Sequence, residues 1–138
     1  MAGKKISEEE IRETVALLQQ YQNRAEAYRQ QLALIELSIG DCESAINALD
    51  QLEKVKADKT ALVPIGAGAY VHATISQVDK ILMNLGAGVS AEKDSSAAKE
   101  TLTKRKDEFT KIHGRLIEDL RGMHNEMQKL QLKIAQYR

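Results

Sequence analysis

The stretch Ile65–Val89, "IGAGAYVHATISQVDKILMNLGAGV", decides how this chain folds. A Gly-Ala-Gly at Gly66-Ala67-Gly68 returns twenty residues later as Gly86-Ala87-Gly88, each time behind a short apolar run. Glycines in this spacing either turn a chain or cradle a phosphate. A dinucleotide fingerprint needs a third glycine three residues on and an immediate helix. Val71 and Ala91 occupy that third position, and β-forming residues follow both motifs. The phosphate reading therefore fails and the turn reading stands, since glycine reaches positive φ at no steric cost.

Around the two motifs the residues alternate as strands do. Leu62-Val63-Pro64-Ile65, Ala69–Ile75, Ile81–Leu85 and Val89–Glu92 read as four short strands. In the second, Val71, Ala73 and Ile75 face one way and Tyr70, His72 and Thr74 the other; in the third, Ile81, Met83 and Leu85 share a face. Gly66-Ala67-Gly68 joins the first pair, Gly86-Ala87-Gly88 the second, and Ser76–Lys80 connects the pairs. Pro64 cannot donate a ladder hydrogen bond and places its strand at an edge. Two-stranded hairpins are marginal alone and leave unpaired N–H and C=O groups on their outer strands. Oligomerisation through these strands is the physical expectation.

The flanks have a different period. From Ser7, whose hydroxyl with Glu10 three residues on forms a capping box, heptads run for about fifty residues. The a positions are Ile11, Leu18, Ala25, Leu32, Ile39, Ile46 and Glu53; the d positions are Thr14, Tyr21, Tyr28, Ile35, Cys42 and Leu49. Only Thr14 and Glu53 break the apolar seam, which is a coiled-coil pattern. A second seam begins after Asp94-Ser95-Ser96, any of which can cap it. It steps by four and three through Leu102, Lys106, Phe109, His113, Leu116, Leu120, Met123, Met127, Leu130, Ile134 and Tyr137. Ser7–Lys59 carries 6 basic and 11 acidic side chains, net −5, whereas Asp94–Arg138 carries 10 and 7, net +3. Opposite charge favours pairing the two helices with each other. Their similar lengths, roughly 70 Å at 1.5 Å per residue, favour an antiparallel arrangement, because a parallel one would stretch the connector along the whole coil.

The totals agree with that architecture. One Phe, no Trp and one Pro among 138 residues leave little with which to fill a globular core, while Ala, Leu and Ile suit narrow helical seams. The expectation is an α+β fold in a single domain over residues 1–138: a first helix at 7–59, a double hairpin at 60–93 and a second helix at 94–138. Twenty basic and twenty acidic residues give a formal charge of zero, and there is no basic stripe with aromatics, so nucleic acid is not an expected partner. The opening "MAGKKISEEEIRE" has no apolar signal core and no run approaches membrane-spanning length, so no membrane association is expected and a cytoplasmic location is. The single Cys42 fits a reducing compartment.

Candidate chemistry is sparse. His113 and His124 stand eleven residues apart, roughly 16 Å along a helix axis, too far to share a metal. His72 reads as a strand residue, and Cys42 at a d position as a small apolar group. No His or Cys supplies a nucleophile–base pair or a metal quartet. The expectation is a protein that is not an enzyme and carries no cofactor. Apolar residues near the chain ends are more suggestive. Val15, Leu17 and Leu132 lie outside the seams, and with Ile11, Ile134 and Tyr137 they gather apolar surface near the tip away from the hairpins. They either complete a broader helix–helix interface or meet another chain.

A long helix, "LVPIGAGAYVHATI", "ILMNLGAGVSAEKD" and a second long helix together resemble the α-type subunits of the archaeal prefoldin family, across essentially the whole chain. The resemblance implies an ATP-independent holdase co-chaperone, a hexamer of two α-type and four β-type subunits. In it, hairpins build a double β-barrel platform from which coiled coils hang. It implies that non-native polypeptides are held at the coil tips and delivered to a group II chaperonin. Carried onto this chain, assembly falls to Leu62, Val63, Ile65, Gly66, Gly68, Val71, Ala73 and Ile75 in the first hairpin. In the second it falls to Ile81, Met83, Leu85, Gly86, Gly88 and Val89. Client contact falls to Ile11, Val15, Leu17, Leu132, Ile134 and Tyr137. The rival expectation is a structural coiled-coil scaffold that self-assembles into filaments through its hairpins.

Overall fold

A computed structural model describes residues 7–55 and 58–137. The opening six residues, Lys56-Ala57 within the expected first helix, and Arg138 lie outside the described residues. The elements run α1 (Glu8–Glu53), β1 (Lys59–Gly66), β2 (Ala69–Ile75), β3 (Lys80–Gly86), β4 (Val89–Asp94) and α2 (Ser95–Tyr137). This is the α+β arrangement of two long helices joined by two antiparallel hairpins, β1 with β2 and β3 with β4. Among the described residues no helix is long and apolar enough to cross a membrane.

Both helices start where a side chain captures a free backbone donor. The Glu10 N–H donates to Ser7 Oγ at 3.1 Å. Of the three candidates for the second cap, Asp94 is the one used: its Oδ1 accepts from the Ala97 N–H at 2.7 Å. Helix α1 stops at Glu53, short of the expected boundary. Lys54 and Val55 donate to the carbonyls of Gln51 and Leu52, each at 3.1 Å, tightening the last turn. The Asp58 N–H, at a positive φ of 69°, then donates to the Ile75 carbonyl at 2.8 Å and opens the first hairpin.

The chain divides into two compact units, residues 1–38 with 109–138, and residues 39–108. In the first, the two helical stretches run antiparallel. Ala25 is fully buried against Met123 and Met127, with Leu18, Tyr21, Tyr28 and Leu120 closing around them. The polar seam residues here are accommodated individually. Thr14 is buried, but its hydroxyl donates to the Glu10 carbonyl at 2.7 Å. His113 Nε2 meets Glu36 Oε1 at 3.0 Å.

In the second unit Leu49, Met83 and Ala98 form the core, lined by Leu52, Ile81 and Leu102. One hairpin is thus part of the same core as its helices. Polar seam positions again find partners across the helix pair. Lys106 reaches Glu43 at 3.3 Å, while Lys99 bridges Asp50 at 3.0 Å and Glu53 at 2.6 Å. Ser95 Oγ donates to Glu53 Oε1 at 3.1 Å. The Lys99 ammonium and the Ser95 hydroxyl hold the Glu53 carboxyl below its usual range; Glu53 and Asp50 in turn hold Lys99 above its own.

Candidate assembly surface on the hairpins

The glycine motifs build two copies of one turn. Ala67 and Gly68 have φ of 52° and 76°, Ala87 and Gly88 of 51° and 75°. Positive φ at both central residues marks the type I′ corner, whose twist matches that of the strands it joins. The preceding Gly66 and Gly86 also lie at positive φ, 114° and 99°. Each sits at a one-residue register shift: Pro64 pairs with Tyr70 and Gly66 with Ala69, just as Asn84 pairs with Ser90 and Gly86 with Val89. Ile65 and Leu85 are therefore extra residues at matching bulges, and both are exposed.

That bulge changes one expectation. Leu85 does not share the burial of Ile81 and Met83, because the inserted residue interrupts strict alternation. Met83 is 7% exposed against Leu49 and Ala98, and Ile81 is half-buried beside it. These two side chains are held inside the chain's own core. Arg105 of α2 fixes the same hairpin from its edge, donating to the Asn84 carbonyl at 2.8 Å, while Asn84 Oδ1 accepts from the Gly86 N–H at 2.8 Å. Lys93 of β4 donates to Thr101 Oγ1 at 2.9 Å.

Most of the remaining hairpin residues face solvent. Leu62 is 59% exposed and Leu82 71%, with Val63, Ile65, Tyr70, Val71, Leu85 and Val89 also open; Ala73 and Ile75 are half-buried. So many large apolar groups on four short strands is the pattern of an interaction surface rather than of a free monomer face. Tyr70 and Leu82 are absent from the sequence-based set, although their alternation with inward residues marks them as outward. Arg105 carries no sequence signal at all, because its role is set by where α2 passes the turn.

At the helix ends, in the first unit, Val15, Leu17, Leu132 and Tyr137 are exposed, Leu132 at 66%, while Ile11 and Ile134 are half-buried in the seam. Leu34 and Leu37, further along α1, are also exposed. His124 lies 3.4 Å from Arg29, His72 is exposed on β2 opposite Leu62, and Cys42 is a buried free thiol.

A family model described as prefoldin, prefoldin subunit, matches residues 21–137 of this chain. The chain belongs to the prefoldin family. Among curated relatives, prefoldin subunit alpha of Methanosarcina mazei is 40% identical over 130 residues, covering 92% of each chain. That of Methanococcoides burtonii is 43% identical over 110 residues, 80% of each, and that of Thermofilum pendens 31% identical over 128 residues, 93% and 97%. A cryo-EM structure of filamentous PFD from Methanocaldococcus jannaschii superposes with a TM-score of 0.72, over 82% of this chain and 93% of that one. At 20% identity it shows the shared fold. Exposed large apolar residues stand on both hairpins, near the helix ends and, at Leu34 and Leu37, further along α1.

Proposed function

We propose that this chain is the α-type subunit of a cytoplasmic, ATP-independent co-chaperone. It assembles through its hairpins with β-type subunits into a hexamer of two α and four β. Its helix ends hold non-native polypeptides, which pass to a group II chaperonin. The observation that carries the reading is the double hairpin with its exposed apolar residues, from Leu62 to Val89, in a chain whose curated relatives are named prefoldin subunit alpha. The assembly residues are those open to solvent: Leu62, Val63, Ile65, Val71, Leu85 and Val89, joined by Tyr70 and Leu82.

The holding mechanism follows from elementary physics. Unfolded chains expose scattered apolar surface, and burying it needs no sequence match. Several weak contacts on separate arms raise overall affinity through effective concentration. Val15, Leu17, Leu132 and Tyr137 supply such contacts, with Ile11 and Ile134 behind them. No catalytic step and no nucleotide enters this scheme. Light scattering of the purified chain with a prefoldin β-type subunit, followed by an aggregation assay on an unfolding client without ATP, tests it. A hexamer that suppresses aggregation is the expected result; a mixture that never associates, or associates without protecting, overturns the reading.

The filament scaffold is the second reading, favoured by the likeness of fold to filamentous PFD. It predicts long polymers of this chain alone, which sizing the purified chain before the β-type subunit is added detects.

A further inference from the structure

The helix pair of the first unit carries a groove that its seam does not explain. The groove has a volume of about 520 Å³ and lies between Tyr21 and Tyr28 of α1 and Glu118, Asp119, Gly122 and Glu126 of α2. A glycine within a helix is destabilising relative to alanine. A Cβ built at Gly122 meets nothing within 4 Å, so the packing of the helices does not require a glycine there. What its missing side chain leaves open is the groove.

The walls select a charge. Tyr21 and Tyr28 are half-buried against Ala25, Met123 and Met127, which holds their rings in place. Aromatic faces attract cations, and the stem of a lysine or arginine packs on apolar surface while its head stays at the rim. Three carboxylates, Glu118, Asp119 and Glu126, stand there against one guanidinium, that of Arg24. Arg121 meets Glu118 at 3.1 Å and Lys129 meets Glu126 at 3.4 Å, but both are exposed pairs within one turn of α2 and hold their carboxylates weakly. Asp119 has no hydrogen bond or ion pair among the described residues. Leu17, exposed near the helix end, stands four residues before Tyr21 and hence on the same face of α1. The groove continues the apolar surface of that end inward.

We propose that this groove receives a lysine or arginine side chain of a non-native polypeptide, with its stem on the Tyr21 and Tyr28 rings and its charge at Asp119. Held segments are then sorted by charge. Stretches that mix apolar and basic residues bind, and acidic ones are repelled by the same carboxylates. The proposal deepens the holding reading above and rests on it for the kind of ligand.

Peptide binding to the full chain tests it. Three labelled, unstructured peptides share their leucine and serine positions and differ at the others, which are all lysine, all glutamine or all glutamate. The chain's formal charge of zero gives no general preference among them. Fluorescence anisotropy is expected to rank lysine first and glutamate last, with about tenfold in affinity between them. Asp119→Lys reverses the charge at the seat, and Gly122→Gln fills the groove from a position where nothing collides. Each should weaken the lysine peptide about fivefold and leave the glutamine peptide unchanged. Circular dichroism should show helicity kept in both variants, or raised in Gly122→Gln. A lysine peptide that binds no better than its glutamate twin, or that is indifferent to both substitutions, overturns the proposal. The glutamine peptide reads holding separately. If it binds while the lysine preference is missing, holding stands and the groove falls. If it fails to bind while the lysine peptide binds in a way that needs Asp119, the groove stands and general holding falls.

Discussion

Ala87 sits at a φ of 51° and Gly88 at 75°, the two corners of the β3–β4 turn. An L-residue with a Cβ held in the left-handed region is strained by roughly 1–2 kcal/mol. Asn tolerates that region and is the preferred first residue of this turn, so Ala87→Asn is expected to stabilise the hairpin by about 1 kcal/mol. Gly88→Ala puts a methyl into the same region. A Cβ there meets nothing within 4 Å, so the whole effect is conformational, a loss of about 1 kcal/mol. Because this hairpin shares a core with both helices through Met83, the change reports on global unfolding. For a chain of this size 1 kcal/mol moves the thermal midpoint by roughly 3–5 °C. Thermal melts followed by circular dichroism, at a dilution that keeps the chain monomeric, should place Ala87→Asn above the natural chain and Gly88→Ala below it by that margin. The matching changes in the first turn, Ala67→Asn and Gly68→Ala, should move the midpoint less, since that hairpin can open without disturbing a helix core. A Gly88→Ala chain as stable as the natural one, or an Ala87→Asn chain that melts lower, would refute the strained-corner account.

Other outcomes follow from the same geometry. Met83→Ala empties part of the small Leu49–Met83–Ala98 core and should lower stability by about 2 kcal/mol, at the low end for such truncations because the cluster opens onto a groove; chemical denaturation measures it. The Glu53–Lys99 pair should shape the pH profile. The depressed Glu53 contributes stability present above its ordinary pKa of 4.5 and lost as pH falls through its lower folded value. Lys99, raised above 10.5, contributes below that value and loses its contribution as pH rises through the folded one. Lys99→Met should therefore flatten the fall in melting temperature from near-neutral to about pH 3, and an unchanged acid limb would show that the pair has no such role.

Much of the fold is legible in the residues because long coils and tight hairpins are locally encoded. The a and d positions of α1 supply most of its buried side chains, including Ala25, Leu32, Cys42 and Leu49. The seam-breaking Thr14, Glu53, Lys106 and His113 are polar because each has a partner supplied by the backbone or the opposite helix. Strand ends are less visible. Lys59-Thr60-Ala61 has weak strand character and is strand because Ala73–Ile75 pairs with it. The bulges at Ile65 and Leu85 escape a period-two reading, since an inserted residue has no signature beyond the glycine that follows. The division of labour between hairpins is invisible in sequence. Val63 and Met83 occupy equivalent apolar positions, and only the path of the helices decides that Met83 is covered. Exposure of Val15, Leu17 and Leu132 likewise depends on how wide a strip the opposing helix covers, which a heptad pattern leaves open.

The central claim is that exposed apolar groups at the helix ends hold non-native polypeptide without nucleotide. Removing residues 1–12 and 130–138 takes away Ile11, Leu132, Ile134 and Tyr137 while leaving every hairpin residue in place. The decisive measurement is light scattering of an aggregating client in the presence of the reconstituted complex, full-length against trimmed, without ATP. The account predicts an intact hexamer whose protection is weakened; a trimmed complex that protects as well as the full one would contradict it.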